Sequence, residues 1–251
     1  MDNKTKTRIV ILAAGKGVRM KSELPKVLAP LKGKSMIKRV MESVDESRVD
    51  EKPIVIVGYK KELIIEELGD RYEYINQENQ LGTGHAVNLV KDYLKDKPEN
   101  ILVLYGDQPF TTPATIQKIN EKHLKSGRKI TMATFKVPDF EDWRSCFRGF
   151  SKIIRDSNGK IIKDVQIKDA SEEEKKISEL NPSYYCFNAT WLWDTLKTLK
   201  NDNAQKEYYL TDLIKKAAEN NVEIESIEIE PREALGANSK EELEILEKLM
   251  L

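Results

Sequence analysis

Cysteine is nearly absent from this chain, which holds two thiols, Cys146 and Cys186, in 251 residues. They are far apart and lack metal-ligand spacing, so two unpaired, inert thiols in a reducing compartment are expected. Charge of one sign is missing too: 42 basic residues face 42 acidic ones. No global field therefore draws the molecule to nucleic acid or to an anionic membrane, and any phosphate must be recognised locally. No apolar run approaches the roughly 20 residues that cross a bilayer. Met1 to Arg8 is polar and has no apolar signal core, so a soluble, cytoplasmic protein is expected, with neither nucleic acid nor membrane as partner. Repeats, low-complexity linkers and hexapeptide periodicity are absent. His85 has no Ser or Cys nucleophile motif beside it and no second histidine at metal spacing, and reads as structural.

What is present is an alternation of short apolar runs with helical periodicity. Ile9 to Leu12, Ile54 to Val57, Tyr72 to Ile75, Ile101 to Leu104 and Ile130 to Phe135 read as strands. Between them, Met36, Ile37, Val40, Met41 and Val44 mark a helix, Glu62 to Leu68 and the segment after Gly84 two more, and Ile116, Ile119 and Leu124 a fourth. Strand and helix in turn predict a mostly parallel α/β sheet covered on both faces, with ligands at the carboxyl ends of its strands. Beyond Pro138, Asp156-Ser157-Asn158-Gly159 between two Ile-Ile pairs signals a small antiparallel insertion. The charged run 172–176 reads as a solvated surface. Strand-like Ser183 to Phe187, helices near 191–199 and 210–218, and strand Val222 to Ile229 come next. Ser239-Lys240-Glu241-Glu242 then forms a capping-box pattern before an amphipathic helix.

The chemistry begins where the first strand breaks into Ala13-Ala14-Gly15-Lys16-Gly17-Val18-Arg19, with Leu24-Pro25-Lys26 soon after. Glycines let the backbone turn close to a ligand, and its N–H groups then point at an anion. Lys16, Arg19 and Lys26 add cations from three directions. The loop lacks the Walker pattern and the third glycine of the dinucleotide fingerprint, so a nucleotide or sugar phosphate is expected without either label. At the end of the fourth strand, Tyr105-Gly106-Asp107 delivers a carboxylate to the ligand edge, either as a turn or as an oxygen ligand for magnesium. A second cluster, Gln77 to Ala86, contains Gly82-Thr83-Gly84. Its glycines can approach a base that Gln77 reads, or it is simply a helix start capped by Thr83.

Taken together, Leu12 to Met20, Leu24 to Leu28, Gln80 to Ala86, Tyr105 to Asp107 and Asn203 to Asp212 resemble the uridylyltransferase domain of the bacterial N-acetylglucosamine-1-phosphate uridylyltransferases, within the sugar-phosphate nucleotidyltransferase family. The resemblance runs nearly end to end. It implies a Rossmann-like, glycosyltransferase A-type fold in one domain, 1–251, with a nucleotide-binding half 1–137, a sugar-binding half 138–238 and a C-terminal helix 239–251. It implies Mg2+ as cofactor, and a nucleoside triphosphate and a sugar 1-phosphate as partners. Lys16, Arg19 and Lys26 would be catalytic; Leu12, Ala14, Gly15, Gln77, Gly82 and Thr83 would bind nucleotide. Ser151, Gln166, Asn181, Tyr209 and Thr211 would face the sugar, and Asp107 and Asn238 would hold the metal.

The sequence departs from the family on the sugar side. Phe150-Ser151-Lys152-Ile153 stands where the family has Tyr-Gly-Arg-Ile, Gln166 replaces a glutamate, and Asn181-Pro182-Ser183 replaces Asn-Thr-Gly. A pocket built to pair particular hydroxyls is altered by such changes. The leading expectation is UTP-dependent formation of UDP-N-acetylglucosamine. Transfer to another sugar or non-sugar phosphate, such as phosphocholine with CTP, and a non-catalytic nucleotide-sugar binder are the alternatives. The hexapeptide β-helix of bifunctional relatives, with its acetyl transfer and trimerisation, is not expected.

Overall fold

The computed structural model describes residues 6–20, 22–94, 97–203 and 205–250. The first five residues of the polar N-terminal segment, Ala204 in the 203–212 motif, and Leu251 therefore lie outside the described residues. β1 (Thr7–Leu12) is buried at every position, with Ile9 and Ile11 in one core and Val10 and Leu12 in another. That two-sided burial is why it reads as an unbroken apolar run rather than as an alternation. A small hairpin, β2 (Pro30–Leu31) and β3 (Lys34–Ser35), leads to α1 (Met36–Ser47), β4 (Ile54–Val57), α2 (Lys61–Leu68), β5 (Glu73–Asn76), α3 (Thr83–Tyr93) and β6 (Asn100–Tyr105). Then come α4 (Pro113–Ser126), β7 (Ile130–Lys136), β8 (Lys152–Arg155), β9 (Ile161–Val165), the one-turn α5 (Glu172–Lys175) and β10 (Glu179–Leu180). β11 (Tyr185–Asn188), α6 (Ala189–Leu196), α7 (Asp212–Glu219), β12 (Ile224–Glu228) and α8 (Lys240–Leu249) complete the order.

Ten strands form one mixed sheet in the order β5-β4-β1-β6-β11-β7-β10-β8-β9, with β12 beside β7. The first four are parallel neighbours. β11, from the second half of the chain, runs antiparallel between β6 and β7. β10, β8 and β9 extend outward from β7 as the antiparallel insertion. Side chains of α1, α4 and α8 cover one face of the sheet and those of α3, α6 and α7 the other. Each fully buried Val, Leu or Ile there contributes about 1.5–3 kcal/mol.

β1 has β4 and β5 on one side and β6 on the other. The strand order thus reverses between β1 and β6, which opens a crevice at their carboxyl ends. Leu12 pairs in register with Tyr105, so the glycine loop and the Gly106-Asp107 turn emerge side by side.

Three local expectations are corrected. In α4 the buried stripe is Ile116, Ile119 and His123, while Leu124 is 43% exposed. A histidine can take the core position because Thr131 Oγ1 (2.9 Å) and Asn100 Oδ1 (3.1 Å) satisfy both its ring nitrogens. β11 starts at Tyr185 and not at Ser183, which turns the chain at φ 67. At α8, the Ser239 hydroxyl accepts from Glu242 N as expected, but the Glu242 carboxylate accepts from Asn238 N (2.7 Å) instead of closing the box on Ser239. That bond fixes the backbone of Asn238.

Candidate active site

The loop after β1 takes its shape from the segments packed against it. Ala13 N donates to Ile56 O (2.9 Å), and Gln80 Nε2 donates to Ala14 O (2.8 Å), so both β4 and the second glycine cluster hold it. Gly17 sits at φ 63, where a Cβ would come within 2.4 Å of Lys26 Cβ. Only glycine allows the Lys26 stem to pass so close. Lys16 is exposed and its ammonium lies 5.3 Å from the centre of the Tyr59 ring, a cation–π distance that holds it at the cavity mouth.

A cavity of about 370 Å³ lies inside this loop, walled by Leu12, Ala14, Gly15, Gln77, Gly82 and Ala86 among others. Gln77 is 5% exposed. Its Nε2 reaches Gly82 O (3.1 Å) and His85 Nδ1 (3.0 Å). Burial lowers the His85 pKa and keeps the ring neutral, so Nδ1 accepts and the Gln77 amide is locked with Oε1 turned to other partners. His85 reads as merely structural in the sequence, yet it orients the side chain expected to read the base. Gly82, at φ 104, would place a Cβ 2.6 Å from Tyr208 O. Here the 203–211 segment straps the cluster down: Tyr208 N donates to Leu81 O and Gly84 N to Tyr208 O (both 2.7 Å), and Leu210 N donates to Thr83 Oγ1 (2.9 Å). Thr83 therefore does not cap α3, whose N-cap is Gly82.

Lys26, Asp107 and Asn238 meet although 212 residues separate the first from the last. The Lys26 ammonium donates to Asp107 Oδ2 and, at 2.8 Å, to Asn238 Oδ1. Two hard oxygens thus converge on one cation-sized position. A carboxylate and an amide oxygen, leaving the other positions to phosphate and water, are what a small divalent cation takes from a protein. The donor set fits such an ion, and among the described residues no group of three His, Cys, Asp or Glu offers another centre.

A second, larger cavity of about 650 Å³ adjoins the first, and Thr83, Tyr105 and Asp107 line both. Ser151, Gln166, Asn181, Tyr209, Thr211 and Asn238 line this second cavity. Gln166 Nε2 donates to Thr211 Oγ1 (3.3 Å), tying the insertion to α7. Asn181 is spent inward: its amide N–H groups reach Asp164 Oδ2 (2.7 Å) and the Tyr185 hydroxyl (2.6 Å), and its Oδ1 accepts from Ser183 N (2.7 Å). Tyr105, between the cavities, carries no signal in the sequence as a site residue of its own. Burial and nearby Asp107 raise its pKa, so its phenol remains a hydrogen-bond donor at the shared wall.

Arg19 is not brought to either cavity. It lies exposed in the one-turn 3-10 helix Val18–Met20. Asp164 is the half-buried carboxylate, with one fully covered oxygen, that sequence reasoning missed; the two residues before it in β9, Ile162 and Lys163, are exposed.

The model of the MobA-like NTP transferase domain matches residues 9–216. The chain belongs to this family. Among curated relatives, "Bifunctional protein GlmU" of Carboxydothermus hydrogenoformans is 42% identical over 244 residues, 95% of this chain and 52% of that protein. The proteins of the same name from Caldanaerobacter subterraneus and Clostridium botulinum (strain Loch Maree) are 41% and 39% identical, over 96% of this chain and 51% of theirs. The chain spans about half the length of the curated relatives it matches. Being a nucleotidyltransferase of the MobA-like group agrees with a glycine-rich loop at the strand-order switch. No helix among the described residues is long and apolar enough to cross a membrane.

Proposed function

We propose that the chain is a sugar-1-phosphate uridylyltransferase that converts UTP and N-acetylglucosamine 1-phosphate to UDP-N-acetylglucosamine and pyrophosphate. The observation that supports this most is the wall shared by two cavities, where Asp107 and Asn238 face Lys26. Nucleotide in the smaller cavity and sugar phosphate in the larger would meet there, and holding two reactants in line is the main task in phosphoryl chemistry. A phosphate oxygen of the acceptor bonds to the α-phosphorus as the bond to the β-phosphate oxygen breaks, and the electron pair leaves on pyrophosphate. No side-chain nucleophile is needed.

Magnesium held by Asp107 and Asn238 would neutralise charge at the triphosphate. Lys26, exchanged off those two oxygens, would keep its ammonium within reach of the reacting phosphates, and Lys16 at the cavity mouth would meet the leaving pyrophosphate, with Arg19 reaching it only where the loop folds over the substrate. With Nε2 of Gln77 occupied, its Oε1 is left to accept a hydrogen bond. Uracil offers an N3–H there, whereas cytosine presents a bare ring nitrogen, which favours UTP over CTP.

A matrix of nucleoside triphosphates against sugar 1-phosphates and phosphocholine, read by pyrophosphate release in Mg2+, tests this. UTP with N-acetylglucosamine 1-phosphate is expected to turn over fastest. Faster turnover of another pair reassigns the substrates, and turnover of none overturns the enzymatic reading.

A further inference from the structure

Asp164 is half-buried, but one of its carboxylate oxygens, Oδ1, is fully covered. Its Oδ2 accepts from Asn181, but its buried Oδ1 has no hydrogen-bond partner. An unpaired carboxylate oxygen under cover is costly, and most buried polar atoms avoid that state. Among the described residues no cation pairs with it. Asp212 on α7 adds further negative charge, the Tyr185 hydroxyl in β11 accepts from Asn181 and makes no hydrogen bond to Oδ1, and interaction with the Ser151 side chain partly offsets the rise in pKa that burial causes, while Oδ1 itself stays without a partner. Three neighbours of this carboxylate in space or sequence, Ser151, Asn181 and Gln166, line the larger cavity, whereas Asp164 itself does not.

Of these, only Ser151 combines a place on the cavity wall with a rotatable hydroxyl that interacts with the Asp164 carboxylate. A hydroxyl has one proton and two acceptor lone pairs. If its proton goes to Oδ1, the oxygen shows only lone pairs to the cavity. On the reading of the larger cavity as the acceptor site, we propose that Asp164 and Ser151 form a relay: Ser151 donates to Asp164 Oδ1 and accepts from one hydroxyl of the sugar 1-phosphate. Ser151 is the contact and Asp164 the positioning residue that fixes its polarity. The pair makes this spot acceptor-only, so the site selects a sugar with a hydrogen-bond donor there and discriminates against its deoxy analogue.

The relay is tested by a double-mutant cycle in steady-state kinetics, with D164N, S151A and the double variant. Asn at 164 keeps an oxygen for Asn181 and replaces Oδ1 by a donor, which turns the Ser151 proton toward the cavity. D164N and S151A are each expected to raise KM for the sugar 1-phosphate roughly 10- to 100-fold, the range for a hydrogen bond to a charge-backed group, with KM for UTP within about twofold. The double variant should be no worse than S151A alone, because both changes remove one interaction. Effects that multiply, or an unchanged acceptor KM in S151A, overturn the relay. S151A also decides the matter should D164N fail to fold. Absence of turnover in the parent protein with any sugar 1-phosphate strikes instead at the functional reading on which the relay rests.

Discussion

The two cavities are built in opposite ways. On the side proposed for nucleotide, parallel strands end together and short loops expose backbone and cations: Gly15 and Lys16 are exposed, and the Lys16 ammonium lies over the face of Tyr59. On the side proposed for the sugar, antiparallel strands and α7 bring polar side chains together from distant parts of the chain, and these bond to one another, as Asn181 does to Asp164, Tyr185 and Ser183. The first surface is made for charge, which any triphosphate carries. The second is a fixed polar lattice, where one changed side chain re-aims its neighbours. The lesson is that substrate discrimination should be lost by small changes on the sugar side, and catalytic rate by charge changes at the shared wall.

The largest effect should come from the wall itself. D107A is expected to reduce pyrophosphate release by roughly 10³-fold or more, with an unchanged circular-dichroism spectrum; near-normal turnover would remove Asp107 from the metal site. K26M should cost roughly 10²- to 10³-fold in kcat. In nucleotide-free protein the same variant should bind Mn2+ about tenfold or more tightly by calorimetry, because the ammonium no longer competes for Asp107 and Asn238. Arg19, exposed and outside both cavities, should matter less: R19A is expected to lower kcat roughly tenfold. A loss equal to that of K26M would mean that the loop folds over the substrate.

Smaller effects fall on stability. G82A forces a side chain onto a left-handed backbone against Tyr208, and should cost about 2–3 kcal/mol, or about 5–10 °C in melting temperature. D164N should do the reverse. Burial raises the Asp164 pKa from 3.8 to about 6, so between those values the folded protein keeps a proton that the unfolded chain releases. Stability contributed by this site is present at low pH and is lost as pH rises through about 6. D164N lacks that loss, and should melt above the parent at pH 8 and level with it near pH 4.

Legibility in the sequence divides along the same line. The placement of Gly15, Lys16, Gly82 and Asp107 around the smaller cavity is legible because each lies in the loop after a buried strand or precedes a helix, so position along the chain gives position in the fold. Asn238 was reached only through resemblance, since no local pattern brings it to Lys26. Asp164 was missed because a carboxylate beside an exposed Ile162 and Lys163 looks solvated, and only the closing of β8, β9 and β10 around Asn181 buries it. His123 and Leu124 exchanged roles for a related reason: polarity argues for the surface until two partners, Thr131 and Asn100, arrive from other strands.

β11 has a consequence for how the molecule comes into being. It lies between β6 and β7, yet it leaves the ribosome more than fifty residues after β7 ends, counting from Lys136 to Asn188. Until then β6 and β7 each present a row of unsatisfied amides and carbonyls, the kind of edge that recruits other chains. Residues 1–137 expressed alone should therefore aggregate rather than bind nucleotide weakly, and a chaperone that shields nascent strands has its clearest substrate in that interval.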